Sequence, residues 1–193
     1  MTDLFFGGSF DPVHIGHLFA AEEARLRTGA HRVLFVPTGK NPLKPGAAVA
    51  SGEARRFMLE RALAGNDSFE LCDVELHDEG PHFTVNTVSG LIESGTLAPD
   101  AGLVIGDDLL SELDRWRGWE QLLRLVRLVV LARDGFRRSD IPAPAQDRAI
   151  VLDDLTVPVS STAVRTRLRE GRSVRYLVPE GVFDFIHEHA LYR

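Results

Sequence analysis

The chain has 193 residues, 44% of them hydrophobic and 26% charged, with a net charge of −6. That length and balance predict one globular domain over 1–193 with room for a substantial core, and the acidic excess excludes a broad nucleic-acid surface, which needs surplus cations. A lone cysteine, Cys72, excludes an internal disulfide and suits a reducing cytoplasm, while no apolar run reaches the roughly 18 residues of a membrane span and no basic-then-apolar leader opens the chain.

Taken in order, Thr2–Phe6 predicts a strand, and Gly7-Gly8 after it predicts a sharp turn where a ligand can approach bare backbone. Ser9 and Asp11 are placed to accept from free amides of the next helix, Ile15–Thr28, and Pro12 to fix its start. A helix N-terminus offers unpaired N–H groups and partial positive charge, and His14 and His17, three apart, share one face of its first turn. Glycines, proline and two imidazoles in one short segment make a phosphate site. The histidines also read as a metal half-site, though no cysteine lies nearby, or as rings satisfied by local backbone.

His31–Val36 is a continuous apolar run, as in a buried parallel strand, followed by a loop over Pro37–Ala50 with Lys44 as its cation. Ser51–Ala64 predicts a helix whose Arg55 and Arg56 face solvent, and Phe69–Leu76 a strand. Thr84 or Asn86 caps a helix running to about Ser94, and Ala101–Ile105 is a short buried strand. Gly106-Asp107-Asp108 at that strand's end points a carboxylate at a ribose hydroxyl or magnesium, or caps a helix over Leu109–Leu113. Trp119 joins a core face with Leu122, Leu123 and Val126, whereas Trp116 offers a flat ring for a flat ligand. Arg127–Arg133 and Ala149–Leu152 are further strands, separated by a loop over Gly135–Gln146. Ser160, Ser161 and Thr162 precede an amphipathic helix, either capping it or facing an anion together with Arg165. Strand and helix alternate throughout, which predicts an α/β, Rossmann-like, doubly wound parallel sheet flanked by helices.

The segment GGSFDPVHIGH, Gly7 to His17, resembles the (T/H)xGH signature of the nucleotidyltransferase superfamily, in the form carried by bacterial nicotinate mononucleotide adenylyltransferases. The resemblance extends over nearly the whole chain. It implies transfer of AMP from ATP to nicotinate mononucleotide, with magnesium carried on ATP and no metal site of the protein's own. It implies ATP contacts at Gly7, Gly8, Ser9, Phe10, His14, His17, Gly106, Asp108, Ser160, Ser161, Thr162 and Arg165, the last four matching an Ile-Ser-Ser-Thr-x-Ile-Arg segment. For the pyridine nucleotide it implies Ser9, Lys44, Thr84, Asp108, Trp116 and Arg133, and for catalysis His14, His17 and Lys44. Leu43, Phe83 and Asn86 depart from the histidine, tyrosine and aspartate usual at those places.

No nucleophile–base pair stands out, as expected when the nucleophile is a phosphate already ionised at neutral pH. A first turn without GxGxxG disfavours a dinucleotide dehydrogenase, and an intact histidine pair disfavours a non-catalytic nucleotide sensor. Nicotinamide mononucleotide or another small phosphate is the alternative acceptor, and the oligomeric state is left open.

Overall fold

In the computed structural model, which describes residues 3–40, 48–77, 80–133, 135–155 and 157–193, six parallel strands lie in the order β3-β2-β1-β4-β5-β6. They are β1 (Asp3–Gly8), β2 (Arg32–Pro37), β3 (Phe69–Leu71), β4 (Gly102–Gly106), β5 (Arg127–Leu131) and β6 (Ile150–Leu152). The helices are α1 (Ile15–Thr28), α2 (Gly52–Leu63), α3 (Thr84–Glu93), α4 (Asp107–Leu110), α5 (Trp119–Leu125), α6 (Ser161–Arg169) and α7 (Glu180–Glu188).

Past their first residues the central strands carry no charged side chain, because both faces are covered. Leu4, Phe6, Val33, Phe35, Val104 and Val129 join one core with α1, α2, α6 and α7, while Phe5, Leu34, Val36, Leu103, Ile105, Leu128 and Val130 join the other with α3, α4 and α5. Period-two alternation of side chains thus feeds two cores from one run of residues. Each fully buried Leu or Phe contributes about 1.5–3 kcal/mol of transfer free energy.

Strand order reverses between β1 and β4, and their carboxyl ends open a crevice there. The amino ends serve stability instead. Arg32 donates to Asp3 at 3.1 Å and also pairs with Glu70, linking the starts of three neighbouring strands.

Several local expectations change. Gly7 and Gly8 stay in β1, paired with Val36 and Pro37, and the chain turns at Phe10, whose φ is 46°. The expected strand Phe69–Leu76 stops at Leu71, and Val74–Leu76 is a 3-10 turn that brings Glu75 inward. Helix α3 begins after Phe83, so neither Thr84 nor Asn86 caps it. Helix α4 starts at Asp107 after Gly106, earlier than the expected Leu109–Leu113, and a 3-10 turn covers Leu113–Arg115. Helix α7 follows Pro179, which takes its cap position. Among the described residues no helix is long and apolar enough to cross a membrane.

Candidate active site

The segment from Ser9 to His17 leaves β1, turns and enters α1. At its turn Phe10 is 1% exposed and its ring packs against Phe6, Phe35 and the edge of His17, so only its main chain faces the crevice. The Asp11–Pro12 peptide is cis. Pro12 lies outside the helix, and His14 takes the cap position, with extended backbone at φ −142°.

His17 Nδ1 accepts from the His14 backbone N–H at 3.2 Å. That bond makes Nε2 the nitrogen that carries the proton in the neutral ring. The two imidazoles stack, and His14 Nδ1 is buried without a hydrogen-bond partner. Burial pushes the His14 ring down to about 4 and holds His17 well below the usual 6.5, with the neighbouring His14 ring adding to the latter. Both are therefore neutral at pH 7, able to donate from nitrogen without carrying charge.

Helix α6 docks on this segment. Ser161 Oγ donates to the Pro12 carbonyl at 2.9 Å, and Arg165 donates to the Asp11 carbonyl at 2.6 Å. Gly16 makes the approach possible, because a Cβ there would sit 3.0 Å from Val159 Cγ1 and 3.1 Å from His14 Nδ1. Ser160 caps α6 by accepting from the Ala163 amide at 3.1 Å, while Thr162 is exposed beside Arg165. Neither α1 nor α6 carries an acidic residue in its first turn, whereas α2, α4, α5 and α7 each do. The two helix starts are left electrostatically open to an anion.

Across the switch point, Gly106 ends β4 and Asp107 and Asp108 open α4. Asp108, expected to cap that helix, does not; its carboxylate lies 3.6 Å from the Arg133 guanidinium. Asp107 accepts the Arg133 backbone N–H at 2.9 Å and fastens the ends of β4 and β5 together. Residues 116–118 pack on the start of α3: Arg117 lies 4.8 Å over the Phe83 ring, and a Cβ on Gly118 would come 3.1 Å from Val85. Trp116 is half-buried on the same core cluster as Phe83, and Thr84 opens α3, whose first turn also has no acidic residue.

The structure thus gathers His14, His17, Ser160, Ser161, Thr162 and Arg165 at two converging helix starts, with Gly7, Gly8 and Ser9 leading into them. Gly106, Asp108 and Arg133 lie together at the neighbouring strand ends, and Thr84 and Trp116 at the start of α3. Lys44 and Leu43 lie outside the described residues.

The supporting roles of four residues escaped the sequence. Arg55, expected in solvent, is 4% exposed and donates to the carbonyls of Ser9 and Thr38, each at 2.9 Å. Its place on the buried stripe with Met58, Leu59 and Leu63 was the available signal. Asp11 takes the amides of Val49 and Ala50 instead of those of α1. Glu75 accepts from the Gly39 amide at 3.1 Å and from Thr87 Oγ1 at 2.7 Å, and Gly39 leaves no room for a Cβ, which would fall 2.1 Å from the Glu75 carbonyl. Tyr192 reaches Asp11 from 181 residues along the chain.

The cytidylyltransferase-like family model matches residues 5–167. A probable nicotinate-nucleotide adenylyltransferase of Roseiflexus sp. (strain RS-1) is 39% identical over 97% of this chain and 96% of its own, and one of Thermus thermophilus is 40% identical over 97% of each. In fold, the chain is similar to Plasmodium falciparum nicotinic acid mononucleotide adenylyltransferase complexed with NaAD, with a TM-score of 0.78 at 16% identity over 100% of this chain and 98% of the other. By its family match and by these full-length relatives, the chain belongs to the cytidylyltransferase-like family, in the branch of the nicotinate-nucleotide adenylyltransferases.

Proposed function

We propose that the protein transfers AMP from ATP to nicotinate mononucleotide, forming nicotinate adenine dinucleotide and releasing pyrophosphate. The observation that carries this is the docking of α6 on the His14–His17 segment, which points two helix starts and a neutral imidazole pair at one small volume.

A phosphate oxygen of the mononucleotide attacks the α-phosphorus of ATP. A new P–O bond forms as the bond to the bridging β-oxygen breaks, and the electron pair leaves with pyrophosphate. The nucleophile arrives ionised, so catalysis is positioning and charge stabilisation. His17, donating from Nε2, would stabilise charge growing on the α-phosphate oxygens. His14 would orient the triphosphate, with Lys44 as a further cation. The α6 start and Arg165 would receive the leaving pyrophosphate. Magnesium would arrive on the triphosphate, whose charge it lowers in the transition state; among the described residues no cluster of three or more His, Cys, Asp or Glu would hold it.

On the acceptor side, Trp116 would stack on the pyridine ring, with Thr84 beside it. Asp108 would take ribose hydroxyls and Arg133 the acceptor phosphate. The α3 start, free of acidic side chains, favours a ring carboxylate over an uncharged amide.

Incubating the protein with ATP, magnesium and either nicotinate mononucleotide or its amide, and measuring pyrophosphate, tests the assignment. Faster release with the acid supports it. No release with either acceptor would refute it.

A further inference from the structure

We infer that Tyr192 is a positioning residue for nucleotide binding, acting through its hydrogen bond to the Asp11 carboxylate. The inference rests on the crevice being an ATP site. Tyr192 belongs to no helix or strand; its φ is 65° and it is 7% exposed, packed into the core beneath the β1–α1 turn. Its hydroxyl donates to Asp11 Oδ1 at 2.6 Å, and Asp11 is itself 1% exposed.

Asp11 is a junction. Its carboxylate also accepts the amide of Val49 at 2.6 Å and that of Ala50 at 3.1 Å, anchoring the segment that returns from the loop after β2. Its carbonyl accepts Arg165 from α6. Three stretches of chain far apart in sequence therefore meet on one residue inside the motif.

The Arg165 guanidinium lies 3.9 Å from Asp11 Oδ2, close to forming a direct ion pair. Three neutral donors now compete for that carboxylate. Without the hydroxyl on Oδ1 the carboxylate keeps more of its charge unscreened, and it draws Arg165, already 3.9 Å from Oδ2, from the Asp11 carbonyl onto the carboxylate. A guanidinium neutralised by Asp11 is a weaker partner for triphosphate, so the defect falls on ATP and not on the acceptor. Burial and the Asp11 charge both hold the Tyr192 hydroxyl far above its usual range, so it stays a donor throughout the working pH range.

Tyr192→Phe keeps the ring and removes the donor. A hydrogen bond to a buried charge is strong enough that its loss should raise the KM for ATP about tenfold, with kcat and the KM for nicotinate mononucleotide within about twofold of wild type. Leu191→Ala, which trims a packed neighbour and leaves the hydroxyl alone, should lower the melting temperature without moving either KM. An unchanged KM for ATP in folded Tyr192→Phe overturns the inference, whatever happens to stability. If that variant does not fold, Asp11→Asn, which keeps the packing and removes the charge that would capture Arg165, must lower the KM for ATP, and an unchanged or raised value overturns the inference equally. Should the wild-type protein release no pyrophosphate with either acceptor, the assigned reaction fails. Calorimetric titration with ATP then decides the inference alone: binding about tenfold weaker in Tyr192→Phe upholds it, and equal binding overturns it.

Discussion

The imidazoles of His14 and His17 lie face to face, with ring centroids 3.7 Å apart and planes 24° from parallel. Two protonated rings at that separation would repel each other, and burial disfavours charge on either one. The pair therefore rests neutral, and a phosphate group entering the crevice meets polarised N–H groups instead of fixed cations.

This arrangement has a consequence for stability. Both rings titrate lower in the folded chain than their ordinary 6.5, His14 at about 4 and His17 well below its usual value. Between those limits the unfolded chain binds more protons, so stability is fully present above pH 6.5 and is lost as the pH falls toward 4. Thermal unfolding from pH 8 to 4 should show that decline, and His14→Asn, which preserves a favoured cap residue, should flatten it. A wild-type melting temperature rising on acidification would contradict it.

In the proposed reaction His17 would have the more direct catalytic task, because its tautomer is set by the His14 backbone. His17→Ala should lower kcat by about 10²–10³-fold, the usual loss for one donor to a transition-state oxyanion, with little change in the KM for the acceptor. Steady-state pyrophosphate release measures it; near wild-type turnover would remove His17 from the mechanism.

At Gly16 the segment ahead of α6 packs tightly on the start of α1. Gly16→Ala would press a methyl group on Val159 and the His14 ring at once. Because displacements of about 1 Å can cost up to 10²-fold in rate, kcat/KM should fall at least tenfold. The circular dichroism spectrum should stay native; full activity would show that the segments need no such contact.

Trp116 tests the acceptor side by itself. Trp116→Ala should raise the KM for nicotinate mononucleotide about tenfold while leaving that for ATP unchanged, since a lost aromatic stack is worth about 1 kcal/mol beyond its buried area. Trp116→Phe should recover most of the loss. Equal effects on both substrates would make Trp116 a core residue only.

Glu75 holds the Gly39 amide and the Thr87 hydroxyl together from inside the fold. Glu75→Gln turns one acceptor into a donor facing a donor, and should cost about 1–3 kcal/mol in urea unfolding. A cost near zero would mean that the two donors find other partners.

Much of this site was legible in the sequence because its parts are local. The glycines that end a strand and a histidine pair on a helix start lie within eleven residues, Gly7 to His17, and hydroxyls ahead of a helix are contiguous in Ser160–Thr162. Helical and strand periodicity likewise announced the alternating α/β order, since each element's buried face is written in its own residues.

What the linear chain could not disclose was which distant groups meet. Glu75 looked like part of a strand, Arg55 like a solvated cation and Asp11 like a partner for the amides of α1. In each case a buried polar group had to find a partner, and the partner was set by the sheet order β3-β2-β1-β4-β5-β6, not by sequence neighbours. Local pattern by itself determined the alternating order of elements and marked the segments proposed to bind anions. Only the tertiary structure decided that α6, the loop after β2 and Tyr192 converge on Asp11, because burying a carboxylate requires donors and the fold supplied them from the amides of Val49 and Ala50 and the Tyr192 hydroxyl.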